Sequence, residues 1–202
     1  MLVNTEIQKI SRWLKINKMS VNIKKKNYII FKSKQKLINY KLNIKIDNIE
    51  IEQVSVTKFL GVIINENLTW KNHVKVFKNK ISKNMGILAK ITSNVPCVIL
   101  RNLYFTLLQP YLEYCNIVWS TGTSVMLNKL LVVQNKVLCI ITNSPWHTHA
   151  PPIFIKLGIF TVFNINNLQT ACFMYKVMNN LVPSFFVNMF TVNNAIHNYN
   201  TR

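Results

Sequence analysis

Carboxylate side chains are scarce in this sequence, although a two-metal phosphoryl-transfer site needs several of them to hold its cations. The 202 residues contain only six Asp and Glu residues, against 25 Lys and Arg. Asp47, Glu50 and Glu52 form the only cluster, and Glu50 and Glu52 share one face of a predicted strand. Because all three flank a predicted tight turn, a solvated hairpin accounts for them better than a metal site. The sequence therefore predicts no metal-dependent catalytic centre in this chain.

Histidine and cysteine form no better catalytic pattern. His147 and His149 make an H-x-H pair in a predicted loop, and Cys139, the nearest further ligand, falls in a predicted helix. A zinc site needs three or four convergent ligands, so we interpret the pair as loop residues. No G-x-S-x-G occurs, which leaves no support for a serine triad.

The four cysteines and the apolar segments bear on the compartment. None of the cysteines forms a C-x-x-C pair, and each has apolar neighbours, which predicts reduced core thiols with no disulfide partner. Polar residues after Met1 interrupt any leader-like run. The most apolar stretch, 95–119, contains Arg101 and Glu113 and indicates a buried helix, not a membrane span. We expect an intracellular protein, cytoplasmic or nuclear and not secreted. The cysteines are Cys97, Cys115, Cys139 and Cys172.

Lysine gives the chain a formal net charge of +19. A field of this sign favours polyanions, nucleic acid before an anionic membrane. An A/T-rich genome would also enrich lysine, but it does not explain the scarcity of acids. The sharpest basic feature is the run Lys24, Lys25 and Lys26, which is either a phosphate contact or a solvated face. Arginine is nearly absent, so binding should rest on Lys–phosphate contacts, depend steeply on salt and read little sequence.

The elements that must position these residues differ between the two halves of the chain. Residues 1–70 predict a mixed α+β arrangement, with a helix over 2–17 and a tight turn at Asp47 and Asn48. Residues 70–190 predict helices, the first of them capped by Thr69. The predicted strands are 21–32 with Tyr28–Phe31 as its core, 41–46, 49–51 and 58–64. The predicted helices are 69–92, 96–119 with a bend near Pro110, 124–143, a short one before Gly158, and 164–180.

Several short motifs and single residues serve as landmarks along the sequence. Trp13 precedes the segment 19–31, and Phe59-Leu60-Gly61 precedes Leu68–Lys71 and His73. Later landmarks are Gly86-Ile87-Leu88, Leu103-Tyr104, Pro110–Tyr114, Asn116–Trp119 and Gln134. Over residues 5–190, this order resembles the C-terminal part of the reverse transcriptase of non-LTR retrotransposons, the jockey-like group.

The resemblance implies roles for two segments of the first half. Residues 19–31 resemble motif D of the palm, where a lysine assists nucleotide addition. Lys25 is the best positional match, with Lys24 and Lys26 as alternatives. Phe59, Leu60 and Gly61 resemble the primer grip, which positions the primer's 3′ end. A glycine suits that place, because it lets a nucleic-acid strand approach the backbone closely.

The resemblance also implies a thumb. The lysine-rich helix after Trp70 resembles the first thumb helix, which lies along the template–primer duplex and contacts its backbone. We expect four of its lysines to bind RNA–DNA or other duplexes with weak sequence specificity: Lys71, Lys75, Lys78 and Lys83. In that family the catalytic aspartates, including the Y-x-D-D turn, precede the helix that contains Trp13, so we expect this chain to lack them. The Mg²⁺ of the intact family enzyme would then have no site here.

The resulting expectation is an α+β fragment of an RNA-directed DNA polymerase, inactive alone. Residues 1–68 would form a palm remnant with a small antiparallel sheet, residues 69–190 a mostly helical thumb bundle, and residues 191–202 a disordered tail. One alternative is an independent basic helical protein that binds nucleic acid or acts as a scaffold, without polymerase ancestry. Another is a non-functional product whose exposed sheet edges and apolar surface favour aggregation.

Overall fold

The computed structural model describes residues 2–35, 42–122 and 124–191, apart from the side chain of Lys24. The chain divides into two compact units, Met1–Val76 and Phe77–Arg202. Part of the predicted strand 41–46 and nearly all of the predicted tail fall outside the described residues. The fold is mixed α+β, as the sequence predicts, with helices and small two-stranded ladders.

The first unit consists of one helix, a 3-10 turn and short strands. Helix α1 spans Leu2–Ile16, and the 3-10 turn spans Ile23–Lys25. Among the described residues, β2 (Lys45–Ile46) pairs antiparallel with β3 (Ile49–Glu50), and β5 (Val56–Phe59) with β6 (Val62–Asn65), whereas β1 (Asn27–Tyr28) pairs in parallel with β4 (Glu52–Gln53). Helix α2, Lys71–Ile91, begins in the first unit and ends in the second.

The predicted turn at Asp47 and Asn48 is confirmed. It joins β2 to β3, and both residues have positive φ, 47° and 65°, as a type I′ hairpin turn requires. The Asp47 carboxylate accepts hydrogen bonds from Lys15 Nζ at 2.8 Å and Ser11 Oγ at 3.0 Å. The turn is therefore tied to α1 by a charged side chain.

The predicted strand over Tyr28–Phe31 is shorter than expected. Only Asn27 and Tyr28 pair with β4, and the next ladder-like bond runs from Lys32 N to Glu66 O at 2.9 Å. An apolar run predicts burial but supplies no partner strand, so pairing stops where β4 ends. The prediction that Glu50 and Glu52 share one strand is also wrong, because they lie in β3 and β4, which pair with different strands.

The second unit is helical in the part of the chain that the structure describes. The predicted helix 96–119 is broken into three pieces. Pro110 lies in the first turn of the second piece, where its missing N–H costs nothing. Cys115, with φ of 52°, separates the second piece from the third. The helices are α3 Cys97–Leu107, α4 Gln109–Glu113, α5 Asn116–Trp119, α6 Ser124–Ile141, α7 Ala150–Leu157, α8 Val162–Met178 and α9 Ser184–Val187.

Helix α6 is the centre of the second unit's core. By length and composition it could cross a membrane, and packing within the protein buries 44 % of it. Its Gln134 Nε2 donates to Tyr104 Oη and to Phe160 O, both at 2.7 Å, and its Oε1 accepts from Val162 N at 3.0 Å. This side chain therefore connects α3, α6 and the start of α8. Burial raises the pKa of Tyr104 well above its usual range.

The prediction of four core cysteines holds for one of them. Cys139 is buried in α6, whereas Cys97 and Cys172 are exposed and Cys115 is half-buried. Apolar sequence neighbours do not fix burial, because a helix turns neighbours of one residue to different sides.

Candidate nucleic-acid interface

Helix α2 carries the predicted lysine face, and its buried stripe fixes which way that face points. The spacing predicts an inner apolar stripe, of which four members are buried and two are half-buried. The buried members are Val74, Phe77, Ile81 and Leu88, and the half-buried ones are Met85 and Ile91. The predicted Thr69 cap does not adjoin the helix, because Trp70 lies between Thr69 and the first helical residue, Lys71. Thr69 is bonded to Asn65 instead: its N–H donates to Asn65 Oδ1 and its Oγ1 accepts from Asn65 Nδ2, both at 2.8 Å. Trp70, buried and at φ of 58°, immediately precedes the first helical residue.

The four predicted lysines of α2 are all exposed. Lys71, Lys75 and Lys78 follow i, i+4, i+7 spacing, which places them along one strip of the helix surface. Lys83 lies further around the surface, on the side opposite the buried stripe. At about 1.5 Å of rise per residue, the four lysines span roughly 18 Å of the helix axis.

No acidic residue lies between Glu66 and Glu113 in the sequence, so α2 contains none. Glu66 pairs with Lys32 at 3.2 Å, and Glu113 accepts from Gln109 at 2.6 Å. Among the described residues, the ion pairs found involve lysines outside α2: Lys9, Lys15 and Lys32. The lysine face therefore keeps its positive potential, which a phosphate backbone would neutralise.

The Phe59–Gly61 segment forms the tip of the β5–β6 hairpin. Leu60 and Gly61 are its two turn residues, with φ of 45° and 85°, and Phe59 pairs with Val62. The side chains of Phe59 and Leu60 are 62 % and 73 % exposed. Leucine is unusual at a positive-φ turn position, where Asn or Gly is favoured. The strained turn thus presents two apolar side chains to solvent.

The hairpin is bonded to the first turn of α2. Ile63 N donates to Nδ1 of the buried His73 at 3.2 Å. His73 was a landmark of the sequence resemblance, but the sequence predicted no contact for it. The sequence signal for this contact was the position of His73 next to Val74, on the apolar side of the predicted helix. A polar side chain that is buried there needs a hydrogen-bond partner.

The lysine run occupies the link between α1 and β1. Its backbone forms the 3-10 turn, in which Lys25 N donates to Asn22 O at 3.1 Å and Lys26 N to Ile23 O at 2.9 Å. The side chains of Lys25 and Lys26 are exposed. The helix-to-strand position is as predicted, while the motif D-like role remains a prediction.

The acidic residues and histidines considered as metal ligands do not come together in one site among the described residues. Among the described residues, no group of three or more His, Cys, Asp or Glu side chains could hold a metal ion. Hydrogen bonds lower the pKa of Asp47, and the bond from Lys15 has a larger effect than the bond from Ser11. The Asp47 carboxylate therefore binds side chains of α1. His147 and His149 are exposed in the loop before α7.

Three known proteins with similar sequences are RNA-directed DNA polymerases of mobile elements. The chain is 23 % identical over 166 residues to the probable RNA-directed DNA polymerase from transposon X-element of Drosophila melanogaster, covering 81 % of this chain and 18 % of the relative. The resemblance to non-LTR retrotransposon polymerases is confirmed. A second Drosophila melanogaster relative, the probable RNA-directed DNA polymerase from transposon BS, is 23 % identical over 122 residues, covering 59 % of this chain and 14 % of the relative.

A third relative from the same organism is the RNA-directed DNA polymerase from mobile element jockey. It is 27 % identical over 95 residues, which cover 45 % of this chain and 10 % of the relative. The chain thus spans less than a fifth of the length of each of these polymerases. No family model matches the sequence, and no solved structure matches it.

Proposed function

We propose that this chain is the duplex-holding part of a non-LTR retrotransposon polymerase and that it binds nucleic-acid backbones through α2. The observation that carries the proposal is the lysine face of α2, defined as Lys71, Lys75, Lys78 and Lys83. These side chains are exposed on a helix without acidic residues, and its opposite face is buried. The similarity to RNA-directed DNA polymerases supports a template–primer duplex as the partner.

The lysine face would act through phosphate contacts. A double-stranded helix carries one phosphate charge per about 1.7 Å of axis, so a duplex segment of roughly 18 Å, the axial span of the four lysines, carries more phosphates than they can neutralise. Each contact releases condensed counterions, so affinity falls as salt rises. Lysine is a point charge with no fixed fork of donors, and it gives little base discrimination.

The hairpin tip and the lysine run extend this proposal. Phe59, Leu60 and Gly61 would support the primer end, since an apolar tip with a glycine permits close approach of a sugar and base. Lys25 would lie near the nucleotide's phosphates, as the motif D resemblance implies. Both roles rest on the position of these residues in the chain and on their exposure.

Polymerase chemistry by this chain alone is not part of the proposal. Asp47 is the single aspartate among the 202 residues, and its carboxylate accepts from Lys15 and Ser11. Glu50 and Glu52 lie in strands of different ladders. A Mg²⁺ pair needs several carboxylates in one place, and the described residues do not fit it. Purified chain should incorporate no nucleotide on a primed template.

A salt titration of binding tests the proposal. Fluorescence anisotropy with a labelled RNA–DNA duplex would compare the wild type with a variant in which the lysine face is changed to glutamine. The control variant removes the same charge elsewhere, through glutamine at the exposed Lys45, Lys129, Lys136 and Lys176. The slope of log K against log salt should become shallower by roughly 3 to 4 in the first variant, and by much less in the control. Equal slopes in the two variants, or a flat wild-type response, would overturn the proposal.

A further inference from the structure

The second unit contains a cleft of about 690 Å³ that the proposed function does not use. It lies where α2 and α6 end, and it is completed by residues of α3 and α7. Its lining residues include Ser93, Thr142, Ser144, Lys156 and Trp146. This volume lies within the range of small-ligand sites and exceeds what one water or ion needs.

Trp146 is held in the cleft wall by a defined backbone structure. Helix α6 ends in a Schellman motif, in which Asn143 has φ of 50° and Ser144 N donates to Cys139 O at 2.9 Å. Pro145 follows, and Thr148 N donates to Pro145 O at 3.0 Å, so Trp146 occupies a hydrogen-bonded turn. Trp146 is nevertheless 60 % exposed. A large aromatic ring is thus presented to solvent from a fixed turn.

The side chains that line the cleft indicate which class of ligand would bind against the Trp146 ring. The cleft combines one flat aromatic face, several neutral hydrogen-bonding groups and one cation, and none of the described residues that line it is Asp or Glu. In the sequence, Glu113 is the single acidic residue after residue 66. A ligand that complements this set is planar and apolar on one face, has polar edges and carries negative charge. A nucleotide has all of these properties.

We propose that this cleft binds an unpaired nucleobase of single-stranded nucleic acid, stacked on Trp146 with its phosphate at Lys156. This inference rests on the proposed function for its ligand class, and it adds a single-strand site apart from the lysine face. Thr142 Oγ1 donates to Leu138 O at 2.9 Å and lies 2.9 Å from Ser144 Oγ, which therefore donates to it, so both hydroxyl protons are in use and the two oxygens are left as acceptors for an N–H of the base edge. Because every base has a stacking face, the site should read little sequence.

Aromatic variants test the site with a labelled single-stranded oligonucleotide of about 12 nucleotides, close to the length that such grooves hold. Trp146→Ala should weaken anisotropy-measured binding roughly 5- to 100-fold, the usual loss for one stacked base. Trp146→Phe should retain most of the affinity, because a phenyl ring still stacks. Trp13→Ala removes an equally exposed indole, 57 % exposed in α1, and should leave the affinity unchanged. Duplex binding should not change in Trp146→Ala, since paired bases are not available to stack.

Intrinsic fluorescence gives a second readout that does not depend on the alanine variant folding. The oligonucleotide should quench wild-type tryptophan emission, and Trp146→Phe should lose this quenching while it still binds. Wild-type affinity in a folded Trp146→Ala, or undiminished quenching in Trp146→Phe, overturns the site. If duplex binding is steep in salt while these variants show no effect, the cleft proposal alone fails. If the wild type binds neither form, the proposed function fails with it.

Discussion

The backbone N–H of Ile63 donates a hydrogen bond to Nδ1 of His73 over 3.2 Å. This bond joins the β5–β6 hairpin, whose tip resembles a primer grip, to the first turn of the lysine-rich helix α2. The imidazole accepts at Nδ1, so its proton is on Nε2. The histidine is fully buried within the protein, where a broken bond is not replaced by water.

Replacing His73 should destabilise the fold even when the new side chain is of similar size, because the hydrogen bond is lost. His73→Leu leaves the Ile63 N–H without its acceptor, and we expect a loss of about 1 to 3 kcal/mol. His73→Asn keeps an acceptor oxygen near the same place and should lose less. Thermal melts followed by circular dichroism would rank the variants. A leucine variant as stable as the wild type would show that the bond contributes nothing.

The hairpin tip should show opposite effects at its two turn residues. Leu60→Asn places a residue that tolerates positive φ at a position now held by leucine, and stability should rise by up to about 1 kcal/mol. Gly61→Ala should lower stability by a similar amount, because alanine is strained at φ of 85°. If the tip supports a primer end, Leu60→Asn should also weaken duplex binding although the protein melts higher. Both readouts can be taken on the same preparation, and a lower melting temperature for Leu60→Asn would contradict the strain argument.

Gln134 should be the most sensitive polar position of the second unit. Gln134→Leu leaves Val162 N, Phe160 O and Tyr104 Oη without this partner, and we expect a cost of about 3 kcal/mol. Tyr104→Phe removes one acceptor and should cost about 1 kcal/mol. A double-mutant cycle by denaturant unfolding separates the two. In the Gln134→Leu background, Tyr104→Phe should be almost neutral, and simple additivity would argue against a shared network.

The hydrophobic period of the sequence was sufficient to predict the helices α1, α2, α6 and α8, but it did not show the breaks within residues 96–119. The stripe Val74, Phe77, Ile81 and Leu88 gave α2 and its exposed lysines, and the Asp47-Asn48 pair gave its hairpin. Both signals are local, since each depends on residues within a few positions of one another.

The rest depends on contacts between distant residues, which a local pattern does not contain. After the break at Cys115, the end of α5 is bonded to α8, where Ser120 Oγ donates to Asn166 Oδ1. The length of β1 is set by where β4 ends. The cleft around Trp146 exists because residues of four helices meet there, and the sequence showed only a loop.

The contacts of the Asp47 carboxylate should make the stability of the fold depend on pH. The sequence showed Asp47 in a turn, while the structure adds Lys15 and Ser11, whose hydrogen bonds lower its pKa. A carboxylate whose pKa is lower in the folded state stabilises that state above its unfolded pKa, about 3.9, and the contribution disappears as the pH falls through the folded value. Asp47→Asn tolerates the positive φ of the turn and keeps an acceptor for Ser11, but it has no charge to lose. Melting temperatures measured from neutral pH down to about pH 2 should therefore fall further in the wild type than in Asp47→Asn, with the difference appearing below about pH 4. Parallel curves for the two proteins would show that the bond to Lys15 is not formed in solution.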